Sequence, residues 1–428
     1  MERKSIFLLL LFFPSLTFSL SPPPPRPRLC HPEDEKVLLK IKDHFHNTSL
    51  FSTWIPHTDC CKWSLVLCKK IPKTTMHRVK FLEIDGADDL VGTIPPLIGD
   101  LPYLETLIFR LLPNLTGPIP QAIARLPHLQ LVLLNWNNLT GPIPDYFSKL
   151  TNLVYLGLNN NHLTGSIPAY LGRLPNLKAL VLDDNHLTGP IPDSFGSFQT
   201  RSQVTMSNNM LSGPIPRSLG NVNFEIFEAG GNRLTGDASF LFGKNKTELV
   251  HLVLSQNKLS FDLSKVVMPL DSSLLILLLD DNMIYGKLPS WMGQVSVRIF
   301  NVSYNQLCGP IPTVGGHLQE FDQSPFSHNK CLCGSPLPPC KWVISTLGYT
   351  FIGLIWHGSF IRKCVKIIVI MLGVELFFEY GNMRDRQHLN DMSISKRNKK
   401  AWKWHFLFKY LNCKQFITIT RYRKLAFY

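Results

Sequence analysis

Charge is scarce in this chain. Of its 428 residues, 17% are Asp, Glu, Lys or Arg, against about 25% in an average soluble domain. With 45% hydrophobic residues, the composition excludes a disordered polyelectrolyte and predicts a large packed core. Cysteine is absent between Cys68 and Cys308, so no disulfide framework runs through the middle. There is no glycine-rich phosphate loop, no GxSxG elbow and no HExxH pair. The 14 histidines are scattered, and His162, His186 and His251 fall at surface positions of turns or strands. The residue sets that nucleotide hydrolysis, serine esterases and zinc proteases need are missing. The expectation is a protein that is not an enzyme, with no metal and no cofactor.

What is present begins with an export signature. Arg3 and Lys4 precede the apolar run "SIFLLLLFFPSLTFSL", and small residues follow before "PPPPRPR". This is the layout of a cleaved leader over residues 1–21. Export places cysteines in an oxidising compartment, and eight of the ten form two terminal groups: Cys30, Cys60, Cys61, Cys68, and Cys308, Cys331, Cys333, Cys340. These read as disulfide caps over residues 30–78 and 310–341. Spacing leaves the connectivity open, although neighbours in order close the shortest loops. Five N-x-S/T acceptors, at Asn47, Asn114, Asn138, Asn245 and Asn301, agree with export.

Between the caps one phrase recurs. "NNLTGPIPDYFSKL", "NHLTGSIPAYLGRL" and "NHLTGPIPDSFGSF" follow one another, and the slot of the LTG glycine is filled at 92, 117, 141, 165, 189, 213, 236, 261, 286 and 309. A period near 24 with the frame LxxLxLxxNxLxGxIP defines ten leucine-rich repeats over residues 79–309. Such a unit is too small to bury its own apolar side and is stable only when stacked. Leu177, Leu180, Leu182 and Leu187 show the inward set, each stabilising by roughly 1.5–3 kcal/mol when fully buried. Asparagines at 137, 161, 185, 209, 232, 257, 282 and 305 recur after each strand, where an amide can satisfy buried main-chain groups. Asp88 and Pro113 replace it in the first two units. Gly and Pro in "LTGPIP" leave no room for a long helix. The fold class is α/β: a right-handed solenoid with a concave parallel β-sheet, and short extended and 3₁₀ pieces opposite.

Side chains flanking the strand leucines alternate outward onto that sheet. The acids there are Glu83, Asp85, Asp183, Asp184, Glu228, Asp280 and Asp281, against Arg110 as the one arginine. They predict an acidic strip with aromatic and aliphatic company. Candidate partner contacts are Trp136, Tyr155, Val181, Asp183, Asp184, Gln203, Glu228, His251, Asp280, Asp281 and Tyr304. A strip of this sign attracts a basic protein surface, and large aromatics anchor an interface. Paired acids on an open sheet lack the pocket that glycoside hydrolysis needs.

The blocks "LLKIKDHF", "DCCKWSLVLC", "GDASFLFGKNKT", "NVSYNQLCG" and "HNKCLCGSPLPPCK" resemble the plant polygalacturonase-inhibiting proteins over residues 30–341. The resemblance implies a secreted, cell-wall-associated defence protein that binds fungal endopolygalacturonases and slows pectin cleavage. It also implies the disulfides 30–60, 61–68, 308–331 and 333–340, and association with pectin through basic residues. Arg233, Lys244, Lys246 and Lys258 are the candidates here. Gly230 and Gly231 depart from the usual polar pair.

Beyond residue 341 the repeat grammar stops. Residues 342–428 hold 15 Lys or Arg against 4 Asp or Glu, a net of +11 out of +14 for the chain. The basic balance therefore says little about the repeats and does not point to nucleic acid. Residues 343–361 are apolar, nearly uncharged and followed by Arg362, Lys363 and Lys366. They are long enough to cross a membrane, which would make a tethered receptor-like protein at the plasma membrane. The alternative is translated intron appended to the cap. An ice-binding repeat protein, a third class, needs a flat Thr or Asn array.

Overall fold

The computed structural model describes residues 29–46, 49–72 and 74–340. The leader, Asn47, the tail from residue 342 and its candidate span 343–361 lie outside the described residues.

Helix α1 (Pro32–His44) opens the N-terminal cap. His31 caps its first turn, Pro32 supplies a preset φ, and acids at Glu33 to Glu35 with Lys42 and His44 at the far end suit the helix dipole. It buries Val37, Leu38 and Ile41. Asp34, buried on the same side, receives Arg78 through two bonds of 2.8 and 2.7 Å and the Val79 N–H at 2.9 Å. That bidentate pair joins the helix to the first repeat strand.

Ten units each contribute one strand to an eleven-stranded sheet. It starts with the antiparallel pair Val66–Lys70 and His77–Asp85, then runs parallel through to Ile299–Asn301. Registers are in step from unit to unit: Ala179 faces Tyr155 on one side and Gln203 on the other. The inward leucines are sealed, with Leu177, Leu180, Leu182 and Leu187 all buried.

A second parallel sheet of eight strands was not expected. The Leu-Thr-Gly segments, from Gly92–Thr93 to Lys258–Leu259, pair laterally rather than running as isolated extended pieces. Stacking at a near-constant 24-residue interval brings them into hydrogen-bonding distance, so main-chain groups of the return path are satisfied by their counterparts next door. Pro of "GxIP" then caps a 3₁₀ turn: Pro144 precedes Asp145–Lys149, Pro168 precedes Ala169–Arg173, and Pro192 precedes Asp193–Ser197. Among the described residues α1 is the one α-helix.

The four disulfides are Cys30–Cys60, Cys61–Cys68, Cys308–Cys331 and Cys333–Cys340. Cys30, Cys60 and Cys61 lie close enough together to suggest a metal cluster, but their sulfurs are consumed in these bonds.

Candidate binding face

The asparagines form a ladder that points one way. Asn185 donates through Nδ2 to Leu182 O of its own coil and to Leu158 O of the preceding coil, and accepts the Leu163 N–H of that coil on Oδ1. Asn161, Asn209, Asn257, Asn282 and Asn305 repeat the pattern. A further rung lies in the C-terminal cap: Asn329 serves Leu307 N and Val302 O. Its 24-residue distance from Asn305 was the available signal. The leucine frame does not extend that far, so the ten-unit count passed over it.

Just before each ladder asparagine, and before Ala87 and Leu112 in the same slot of the first two units, the chain takes positive φ. Leu111 (55°), Trp136 (59°), Asn160 (54°), Asp184 (53°), Asn208 (54°), Gln256 (53°), Asp281 (52°) and Tyr304 (52°) all do so, with Gly86 and Gly231 in the same column. Each sends its N–H to the next coil, as Trp136 does to Asn159 O and Asp184 to Ser207 O. Asn and Asp tolerate this region, whereas a tryptophan or tyrosine is held there against a cost of about 1–3 kcal/mol. Trp136 is 52% exposed and Tyr304 55% exposed. Bulky exposed side chains kept in a strained backbone position are suited to contact with something outside the chain.

The acids divide into four groups, the last of them Asp184 and Asp281 in the positive-φ column. Arg110 lies 2.6 Å from Asp85 and 3.9 Å from Glu83, which offsets one of the two negative charges of the N-terminal pair. His251 Nδ1 lies 3.1 Å from Glu228. Asp183 and Asp280 share a row with Ser207, Gly230 and Ser255, as the main-chain pairing of neighbouring coils shows. Glu228 lies two residues earlier in its strand, beside Thr205 and Val253. It is therefore offset from the aspartates by about 7 Å along the strand, and the single strip becomes two rows.

Asp183 is half-buried. It accepts the Thr205 hydroxyl and, at 2.7 Å, the Ser207 N–H. Burial pushes its carboxyl above the ordinary aspartate value, and those two hydrogen bonds oppose the shift only in part. Asp280 accepts the Ser255 hydroxyl at 2.7 Å. The carboxylates that reach solvent are Asp184, held by Asn208 (2.8 Å) and Asn160 (3.2 Å), and Asp281. Tyr155, Val181, Gln203 and His251 are half-buried on the same face. Burial, with Asp183 nearby, raises the Tyr155 phenol above its usual value. Gly231 fills the positive-φ column at no steric cost (φ 61°) and leaves this coil without a side chain at that place on the face.

One basic candidate is corrected. Lys246 is buried, and its Nζ donates to Gly220 O and Val222 O. Burial pushes the ammonium down to about 8. It props a loop of the neighbouring unit and presents nothing to a polysaccharide. Arg233, Lys244 and Lys258 are exposed. Asn114, Asn138 and Asn245 are exposed sequons, whereas Asn301 is half-buried on the last strand of the long sheet.

A long parallel sheet, uncharged to acidic on its outward side among the described residues, defines a capped leucine-rich repeat protein built for surface contact. Comparison with known proteins agrees. The Leucine rich repeat N-terminal domain matches residues 31–69 and the Leucine rich repeat matches residues 127–187. Polygalacturonase inhibitor 1 of Arabidopsis thaliana is 55% identical over 342 residues, covering 80% of this chain and all of that protein. The Polygalacturonase inhibitor of Vitis vinifera is 52% identical over 343 residues, again along its whole length. Among solved structures, a plant ice-binding protein superposes with a TM-score of 0.70 at 44% identity, over 73% of this chain and 99% of its own. The chain belongs to the polygalacturonase inhibitor family of leucine-rich repeat proteins.

Proposed function

We propose that this protein is exported to the plant cell wall, where it binds fungal endopolygalacturonases and inhibits them by covering their substrate cleft. The observation that carries the proposal is the combination of 55% identity along an entire polygalacturonase inhibitor with an open sheet bearing exposed Trp136 and the carboxylates of Asp184 and Asp281. Trp136 supplies an anchor, and the two aspartates steer a basic partner. Val181, Gln203 and Tyr155 complete a shallow centre around Asp183, with Glu228, His251 and Asp280 on its flank. Inhibition is steric, because no group on this face is placed for covalent chemistry. Arg233, Lys244 and Lys258 form a secondary basic edge for pectin.

The test is a panel of fungal polygalacturonases assayed for release of reducing ends from pectin, with and without the full-length secreted protein. At least one should slow in proportion to added inhibitor. A panel unaffected at micromolar protein would overturn the proposal.

The ice-binding likeness has one structural counterpart. Thr116, Thr140, Thr164 and Thr188 are exposed at matching positions of the second sheet. Beside them stand His162, His186, Met210, Arg233 and Lys258, which are exposed and uneven in size and charge. That column breaks the flatness which an ice surface requires, and the inhibitor function stands.

A further inference from the structure

The second sheet carries the one ring contact between two histidines among the described residues. His162 opens the strand His162–Ser166 and His186 opens the strand His186–Gly189, in two consecutive coils. His186 pairs with Thr164, two residues beyond His162 in the neighbouring strand, so both imidazoles stand on the same side of the sheet. Their ring centroids lie 5.4 Å apart, with the planes at 53°. Both residues are exposed, and neither ring is hydrogen-bonded to another described residue.

Neutral imidazole is the commonest protein ligand of first-row metals. With a metal–nitrogen bond of about 2.0 Å, two imidazoles on one ion have ring centroids between about 4.5 Å, at right angles, and about 6.3 Å, opposed. The observed spacing falls inside that range. Exposed rings turn freely about their own bonds to bring one nitrogen each onto a shared ion, while the paired strands beneath hold the spacing. The counterpart positions in the flanking coils are Asn138 and Met210, so this column puts no lysine or arginine next to the pair to repel a cation. Two nitrogens with water in the remaining positions suit copper(II), which favours tetragonal nitrogen and oxygen donors and heads the stability order for them. A structural zinc site needs four protein ligands, more than this pair supplies.

We propose that His162 and His186 chelate one copper(II) ion on the exposed side of the second sheet. The ion clips the fourth coil to the fifth, inside the span from Cys68 to Cys308 where no cysteine is present. The site belongs to the second sheet, whereas the docking face is built on the long one. It therefore stands apart from inhibition and holds whichever polygalacturonase is bound.

The full chain secreted from plant cells is stripped with EDTA and titrated with copper(II) chloride near neutral pH. Bound metal is counted, and its nitrogen ligands are read from electron paramagnetic resonance. The natural protein is expected to bind one equivalent that His162→Ala and His186→Ala each lose, and the spectrum of that equivalent should show two imidazole nitrogens. His128→Ala, whose exposed ring stacks on Tyr103 instead, should bind as the natural protein does. Equal stoichiometry in all four proteins overturns the proposal. A loss confined to one of the two variants does so as well, because a single imidazole then suffices. Zinc(II) chloride should occupy the same place more weakly, and zinc held more tightly than copper overturns the choice of metal.

Discussion

The two aspartates of the fifth unit are adjacent in sequence and different in role. Asp183 is tied to Thr205 and Ser207 of the next coil, so replacing it with lysine would break contacts between coils as well as remove charge. Asp184 and Asp281 hold their charge in solvent. The variant Asp184→Asn with Asp281→Asn, which keeps a residue type that tolerates the positive φ there, should keep its melting temperature within a few degrees, weaken inhibition of a basic polygalacturonase and flatten its dependence on salt, measured as inhibition at 50 and 300 mM NaCl. Trp136→Ala should cost about 2 kcal/mol in binding, read as an inhibition constant some thirtyfold weaker, because a buried aromatic anchor is lost. An unchanged constant would remove Trp136 from the interface. For the ladder, Asn185→Ala takes the acceptor from the buried Leu163 N–H and removes one of two amide donors from each of Leu158 O and Leu182 O, which keep Asn161 and Asn209. A loss of about 1–3 kcal/mol in urea-induced unfolding follows, with no change in the inhibition constant of the folded fraction.

At the scale of elements, much was legible because the chain repeats its instructions. The leucine frame placed the long sheet and its sealed core, and the two cysteine groups marked the caps. The second sheet was not legible, since each Leu-Thr-Gly segment is only two to seven residues long and becomes a strand through neighbours brought alongside by stacking. Glu228 falls out of line with the aspartates because a unit count locates a coil without locating the position along its strand. Lys246 looked like surface charge because the sequence around it is polar; the carbonyls that receive it belong to the preceding coil. This lysine makes a prediction about pH. Its folded-state value near 8 lies below the ordinary 10.5, so between those limits the unfolded chain binds more protons than the folded one. Stability should therefore rise with pH in that window, with a slope approaching about 1 kcal/mol per pH unit. Denaturant unfolding between pH 8 and 10 would show this rise in the natural protein and a flatter profile in Lys246→Met.

For the whole molecule, the ends decide whether a stack of coils survives. Cys308–Cys331 joins the tenth unit to the cap across 23 residues, beside the Asn329 rung that satisfies Leu307 and Val302. Replacing both cysteines with serine should cost about 3 kcal/mol and lower the melting temperature. Proteolysis should then begin near residues 310–340, checked by limited digestion and mass spectrometry. First cleavage inside the central units instead would mean that the cap does not govern unravelling.

The one-way asparagine ladder bears on how such a protein can change its length. Every complete coil offers its predecessor the same amide and asks the same of its successor, so a coil duplicated or deleted in the middle meets familiar partners on both sides. Gene segments of 24 codons could be gained or lost while each joint stays chemically intact. The docking arc would lengthen or shorten by whole turns, and only the first and last coils, which lack one neighbour, need sequences of their own.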